Sequence, residues 1–257
     1  MAWPPSMASS RATHDAISRC FTRIPPDYFA SKLLRKQQRI SENRSFVKGA
    51  GQIGIRSLFA REVRFFHMHV VLVHGLKGWP ENAWFPWLRR TLEEKGYTTE
   101  ALKLPNPLFP KRNDWVEKVR LAISGPETIL VGHSLGCAAI LLALEEYEGP
   151  QIEQIVCVSG MGRPYLKGPV VQKVKEWTGW FTHELDFSTI KPKAKHWRVI
   201  HSTTDYVVPF REGEWLAAQL GVPIIETRAN GHLIHEEGCM ELPEVLHAIQ
   251  RRNDPQS

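Results

Sequence analysis

The stretch that decides the fold is Thr128-Ile129-Leu130-Val131-Gly132-His133-Ser134-Leu135-Gly136, followed by the apolar run Cys137 to Leu144. Thr128 to Val131 is a short β-branched and apolar run, which predicts a buried strand. From Ser134 to about Tyr147 the chain predicts a helix. Between them lies a G-x-S-x-G, so a serine sits on a sharp strand-to-helix turn. The pattern alone occurs by chance in many chains; its placement here is the informative part. The apolar stretch from Ile129 to Leu144 is short for a bilayer span and carries His133 and Ser134 near its start, so no transmembrane segment is read there.

Outward from this unit, the chain from His69 onward alternates short apolar runs with helical periods. Strands are expected at Val70–Val73, from about Thr98 to Leu104, at Gln154–Val158, at Trp197–His201 and, briefly, at Pro223–Thr227. Trp84, Trp87, Leu88 and Leu92 recur at near-helical spacing, so Trp84 to Lys95 reads as an amphipathic helix ended by Gly96. Further helices are expected over 113–123, with an Asn or Asp cap, over about Arg211–Leu220 and over Leu242–Arg251. Strand–helix alternation at this spacing predicts an α/β fold: a doubly wound, mostly parallel sheet with helices on both faces. An insert at about 160–190, carrying Tyr165, Trp177, Trp180 and Phe181, interrupts the alternation. It reads either as a lid over a site or as a packed surface excursion.

The chain has 257 residues and a formal net charge of +6, which suggests a polyanionic partner until the charge is located. Residues 1–67 hold 12 Lys and Arg against 4 Asp and Glu; residues 68–257 hold 21 against 23. The first segment is therefore +8 and the second −2, and the larger segment needs no nucleic acid. The basic, Ser-rich, acid-poor segment 1–67 lacks the apolar core of a secretory signal. It reads as a disordered extension or as a transit-like leader, with 68–257 as the functional domain. The expected location is cytoplasmic, or mitochondrial if the leader is a transit peptide. Four cysteines without a C-x-x-C pair suit a reducing compartment and give no zinc-ribbon or thioredoxin reading.

A serine hydroxyl is a weak nucleophile until a base takes its proton, so a histidine and an acid should follow Ser134. On this strand–turn–helix arrangement the chain order is nucleophile, acid, base. Asp205, in Ser202-Thr203-Thr204-Asp205-Tyr206-Val207-Val208-Pro209, lies just past the fifth strand. His232, in Asn230-Gly231-His232, lies past the last short strand, with His235 as competitor. His133 is expected to point away from Ser134, and His74 either shapes the loop after the first strand or only packs there. A developing oxyanion needs two preorganised donors. The backbone N–H of Leu135 is one; the other is assigned to Leu76, with Gly75 as the runner-up. Trp79, Trp84, Trp177 and Trp180 are the candidate substrate-binding side chains. No metal and no cofactor are implied, and the expected partner is a small acyl substrate.

The ordered set VLVHG, W-x-x-W-L, P-N-P, GHSLG, S-x-x-D-x-x-V-P and N-x-GH resembles the α/β-hydrolase superfamily. Within it the chain is similar to the compact serine hydrolases of the retinoblastoma-binding-protein-9-like, YdeN-like group, over about residues 69–252. The resemblance implies that Ser134, Asp205 and His232 form a triad that hydrolyses small esters or related acyl compounds. The vertebrate relative's L-x-C-x-E motif is missing, because Glu237 stands where its Leu would precede Cys239. The alternative class is a binding or scaffold protein that keeps this fold without useful turnover. Lyase chemistry on the same triad is a third reading, since fold does not fix function.

Overall fold

The computed structural model describes residues 68–164 and 178–251. The expectations for the leader, for Tyr165 and for Trp177 lie outside the described residues. In chain order the elements are β1 (His69–Val73), α1 (Phe85–Glu94), β2 (Thr98–Ala101), α2 (Arg112–Leu121) and β3 (Thr128–His133). They continue as α3 (Leu135–Glu145), β4 (Ile152–Val158), α4 (Phe187–Ile190), β5 (Ala194–His201), α5 (Phe210–Leu220), β6 (Ile224–Glu226) and α6 (Pro243–Gln250). The strands form one six-stranded sheet in the order β2-β1-β3-β4-β5-β6, with every neighbouring pair parallel. The α/β reading of the sequence holds.

Both faces of the sheet are covered, which is why the central strands β3 and β4 are rich in apolar residues on both sides rather than alternating. On one face α2, α3 and α5 bring Trp115, Val119, Ile140, Leu141, Leu216 and Leu220 against Val71, Leu130, Ile155 and Val199. On the other, α1 and α6 bring Phe85, Leu88, Leu92, Val245 and Ile249 against Val70, Leu72, Val131, Val156 and Ile200. After β2 the chain returns across β1 to lay β3 on its other side, so strand order reverses between β1 and β3. Open parallel sheets form their ligand crevices at such a reversal, outside the carboxyl ends of the strands. Ser134 lies there. Among the described residues no helix is long and apolar enough to cross a membrane.

β4 and β5 begin earlier than the sequence reading, at Ile152 and Ala194, and two further boundaries differ for tertiary reasons. β2 ends at Ala101 rather than near Leu104. Leu102 N–H still reaches Leu72 O, but Leu104 N–H donates to His74 Nε2, which draws the chain off the sheet edge. Helix α2 starts at Arg112 after an extended Lys111, without a side-chain cap. Asp114 instead sits in its first turn, where its charge complements the helix dipole.

Leu88 is fully buried on α1, whereas Leu121 is 74% exposed at the end of α2. Leu88→Ala should therefore cost about 2–5 kcal/mol in urea unfolding. Leu121→Ser should stay within about 0.5 kcal/mol of the wild type.

Candidate active site

Ser134 has φ 53° and ψ −122°, a backbone conformation that L-residues rarely adopt. Such a residue costs on the order of 1–3 kcal/mol and persists only when its surroundings hold it. Here they do. Ser134 N–H donates to Val158 O at 2.9 Å, and Cys137 N–H donates to Ser134 O at 3.0 Å. The flanking glycines are steric requirements: a Cβ at Gly136 would lie 2.3 Å from Val73 O, and one at Gly132 would lie 2.9 Å from the Cys137 backbone nitrogen. Helix α3 thus starts pressed against the end of β1, and the hydroxyl is lifted into the crevice.

Three loops then converge. Ser134 Oγ lies 2.9 Å from His232 Nε2, and His232 Nδ1 lies 2.8 Å from Asp205 Oδ2. All three residues are buried, with 5–6% of their surface exposed. The turn that delivers His232 passes through Gly231 at φ 70°. The other oxygen of Asp205 accepts the N–H groups of Val207 and Val208, each at 2.9 Å. Burial alone would raise the Asp205 carboxyl. Hydrogen bonds from His201 and His232, the His232 charge and the Val208 N–H outweigh it, so the carboxyl sits well below the ordinary carboxylate range. An ionised Asp205 requires the proton of neutral His232 on Nδ1, which leaves Nε2 to accept from the Ser134 hydroxyl.

The neighbouring histidines are brought in more closely than the sequence suggested. His133 packs against the base: its ring lies 4.9 Å from the His232 ring, and its Nε2 is 2.8 Å from His232 O. Burial, followed by the nearby His232 charge, lowers His133 to about 3. It is therefore neutral at pH 7, and its Nε2–H donates to the carbonyl of His232. His74 is also buried and lowered by that burial. It spans Gly75 O at 2.9 Å and Leu104 N–H at 3.3 Å, and so braces the loop after β1 against the loop after β2.

That loop meets the serine directly, since a Cβ at Gly75 would lie 2.8 Å from Ser134 Cβ. Leu76 follows it, half-exposed at the crevice mouth. Leu135 opens α3, and among the described residues neither its N–H nor that of Leu76 donates to a backbone carbonyl. Beside Ser134 is a cavity of about 50 Å³, walled by Leu76, Trp79, Trp84, Phe85, His232 and Ile234 among others. Trp79 stands half-exposed at its rim, and Trp84 is wholly buried beneath it, edge-on to His133. Trp180 is not part of this wall. It is buried against Trp115 and donates its indole N–H to Pro110 O at 3.0 Å.

Sequence reasoning missed His201, the last residue of β5. Its Nε2 is 2.8 Å from Val208 O and 3.4 Å from Asp205 Oδ2. The only signal was a histidine four residues before the acid, which reads equally as the end of a strand.

The fold is that of the α/β hydrolases, and it brings a buried serine, histidine and aspartate together at the carboxyl edge of its sheet. The chain belongs to the serine hydrolase family, whose model matches residues 70–251. It is similar to the Bacillus subtilis hydrolase YdeN, with 37% identity over 184 residues that cover 70% of this chain and 93% of YdeN. The crystal structure of the ydeN gene product superposes with a TM-score of 0.65 and 34% identity, covering 73% of this chain and 99% of that one. The serine hydrolase RBBP9 of Rattus norvegicus is 24% identical over 158 residues, 61% of this chain and 81% of RBBP9. The chain is a hydrolase of this family.

The depressed Asp205 carboxyl has a pH signature. A carboxyl lower in the folded than in the unfolded state stabilises the fold above the unfolded value, about 4, and loses that contribution as pH falls further. Asp205→Asn should therefore unfold at lower urea than the wild type at pH 7. The gap should narrow from about pH 4 downward when the two midpoints are followed by titration.

Proposed function

We propose that this hydrolase cleaves a small carboxylic ester through an acyl-enzyme, with Ser134, His232 and Asp205 as its catalytic triad. The observation that carries the reading is the unbroken relay Asp205 Oδ2–His232 Nδ1 and His232 Nε2–Ser134 Oγ, at 2.8 and 2.9 Å. Ser134 Oγ attacks the ester carbonyl carbon while its proton passes to His232 Nε2. The carbonyl π-electrons move onto oxygen, where the N–H groups of Leu135 and of the Gly75–Leu76 loop stand as donors. As the oxyanion collapses, the alcohol leaves with the proton held on Nε2. Water then attacks the acyl carbon, gives its proton to Nε2 and releases the acid, and that proton returns to Ser134 Oγ. Through both steps Asp205 stays ionised and stabilises the imidazolium.

The surroundings support an acyl group of limited size joined to an apolar alcohol. The cavity beside Ser134 is small for a ligand pocket. Six of the eight exposed large apolar side chains among the described residues lie on loops that follow strands: Leu76 and Trp79 after β1, Leu108 and Phe109 after β2, and Tyr206 and Val207 after β5. The loops after β1 and β2 are tied by Lys77 N–H to Pro107 O at 2.8 Å, so their apolar residues share one rim. Apolar surface gathered at a crevice mouth is suited to an apolar leaving group.

The test is a p-nitrophenyl ester series of increasing acyl length. The highest kcat/KM should fall among the short acyl chains, and Ser134→Ala should lower kcat by at least about 10³-fold. A wild type that cleaves none of the series, or a Ser134→Ala variant that keeps its rate, would overturn the proposal.

A further inference from the structure

Asp205 serves two histidines. His232 Nδ1 lies 2.8 Å from its Oδ2, and His201 Nε2 lies 3.4 Å from the same oxygen while standing 2.8 Å from Val208 O. The His201 side chain is wholly buried. Both of its Nε2 partners are acceptors, so Nε2 carries the proton and forks it between the Val208 carbonyl and the Asp205 carboxylate. Its other nitrogen, Nδ1, is buried with no hydrogen-bond partner among the described residues. Helix α5 closes over that nitrogen: a Cβ at Gly213 would lie 2.4 Å from it.

We propose that His201 is a positioning residue of the reaction: it aims Asp205 at His232 and draws off part of the charge that Asp205 offers it. This rests on the proposed triad. The fork joins the end of β5 to the Asp205–Val208 turn, so the carboxylate is held from the sheet side by His201 and from its own loop by the Val207 and Val208 N–H groups. The groups facing His232 are Asp205 from the loop after β5, His133 from the end of β3, and His201 through Asp205. Those facing His201 are Asp205 and, from α5, the Phe210 ring at 5.9 Å and Gly213. The buried α5 carboxylate of Glu212 is engaged by Arg163 at 2.8 Å.

The consequence is directional. With the His201 donor gone, the full carboxylate charge falls on His232, which stabilises the imidazolium and moves the acid limb of the pH–rate profile upward. The carboxylate also loses one of its fixed points, which lowers the plateau.

The experiment compares the wild type with His201→Gln, His201→Asn and His201→Phe on the best p-nitrophenyl ester, with kcat and KM followed from pH 5 to 9. Glutamine can place an N–H where Nε2 stood; asparagine reaches only the position of Nδ1, and phenylalanine fills the space without a donor. Phe and Asn should lower kcat about tenfold with KM within about twofold, and shift the acid-limb midpoint upward. Gln should restore most of both. If the Phe variant does not fold, the Gln–Asn pair decides the question alone. Equal kcat and an unmoved midpoint in Asn and Gln, with the wild type active, would overturn this inference while leaving the triad standing. A wild type without turnover on any ester would fell the triad reading and this inference together.

Discussion

The structure depends on one close approach: the start of helix α3 pressed against the carboxyl end of β1. Gly136 has room for a hydrogen and nothing larger before it meets Val73 O, and Gly132 is in the same position against Cys137. That contact is what permits Ser134 to stand at φ 53°, and the strain is offset by the two backbone bonds that pin it. The buried sheet supplies the rigidity. β1, β3 and β4 are covered on both faces, so their ends cannot drift, and the turn between β3 and α3 inherits their positions.

Around this fixed serine the polar groups are arranged so that one charge serves several neutral partners. Asp205 is the anion of the site, and four donors converge on its two oxygens: Val207 N–H, Val208 N–H, His232 and His201. His133 lies against His232, lowered to about 3 and therefore neutral, and it holds the backbone of His232 rather than competing for its proton. His74 does comparable work one strand away, tying the Gly75–Leu76 loop to the chain that leaves β2. A site with four histidines thus has one carboxylate to balance, and the relay runs in a single direction from Asp205 to Ser134.

Much of this was legible in the sequence because it rests on local chemistry. Val70–Val73 and Thr128–Val131 read as buried strands, and the serine, acid and histidine fall in order just past strands, at the edge where open parallel sheets form their crevices. What could not be read depends on which chains become neighbours. β2 stops early because His74, thirty residues away, takes the Leu104 N–H. The tryptophans look alike in the sequence, yet Trp79 stands on the rim while Trp180 is locked against Trp115, a difference of packing partner and not of composition. His201 was read as a strand terminus because its relation to Asp205 exists only once the Asp205–Val208 turn folds back over the end of β5.

The central claim is that Ser134 is a nucleophile activated by His232. A fluorophosphonate reacts covalently with such a serine, and intact-protein and peptide mass spectrometry read the outcome directly. The account predicts one phosphonyl adduct per chain, carried on the peptide that contains Gly132 to Gly136, and absent when Ser134 is alanine. Labelling at another residue, or a wild-type protein that takes up no phosphonyl group, would contradict it.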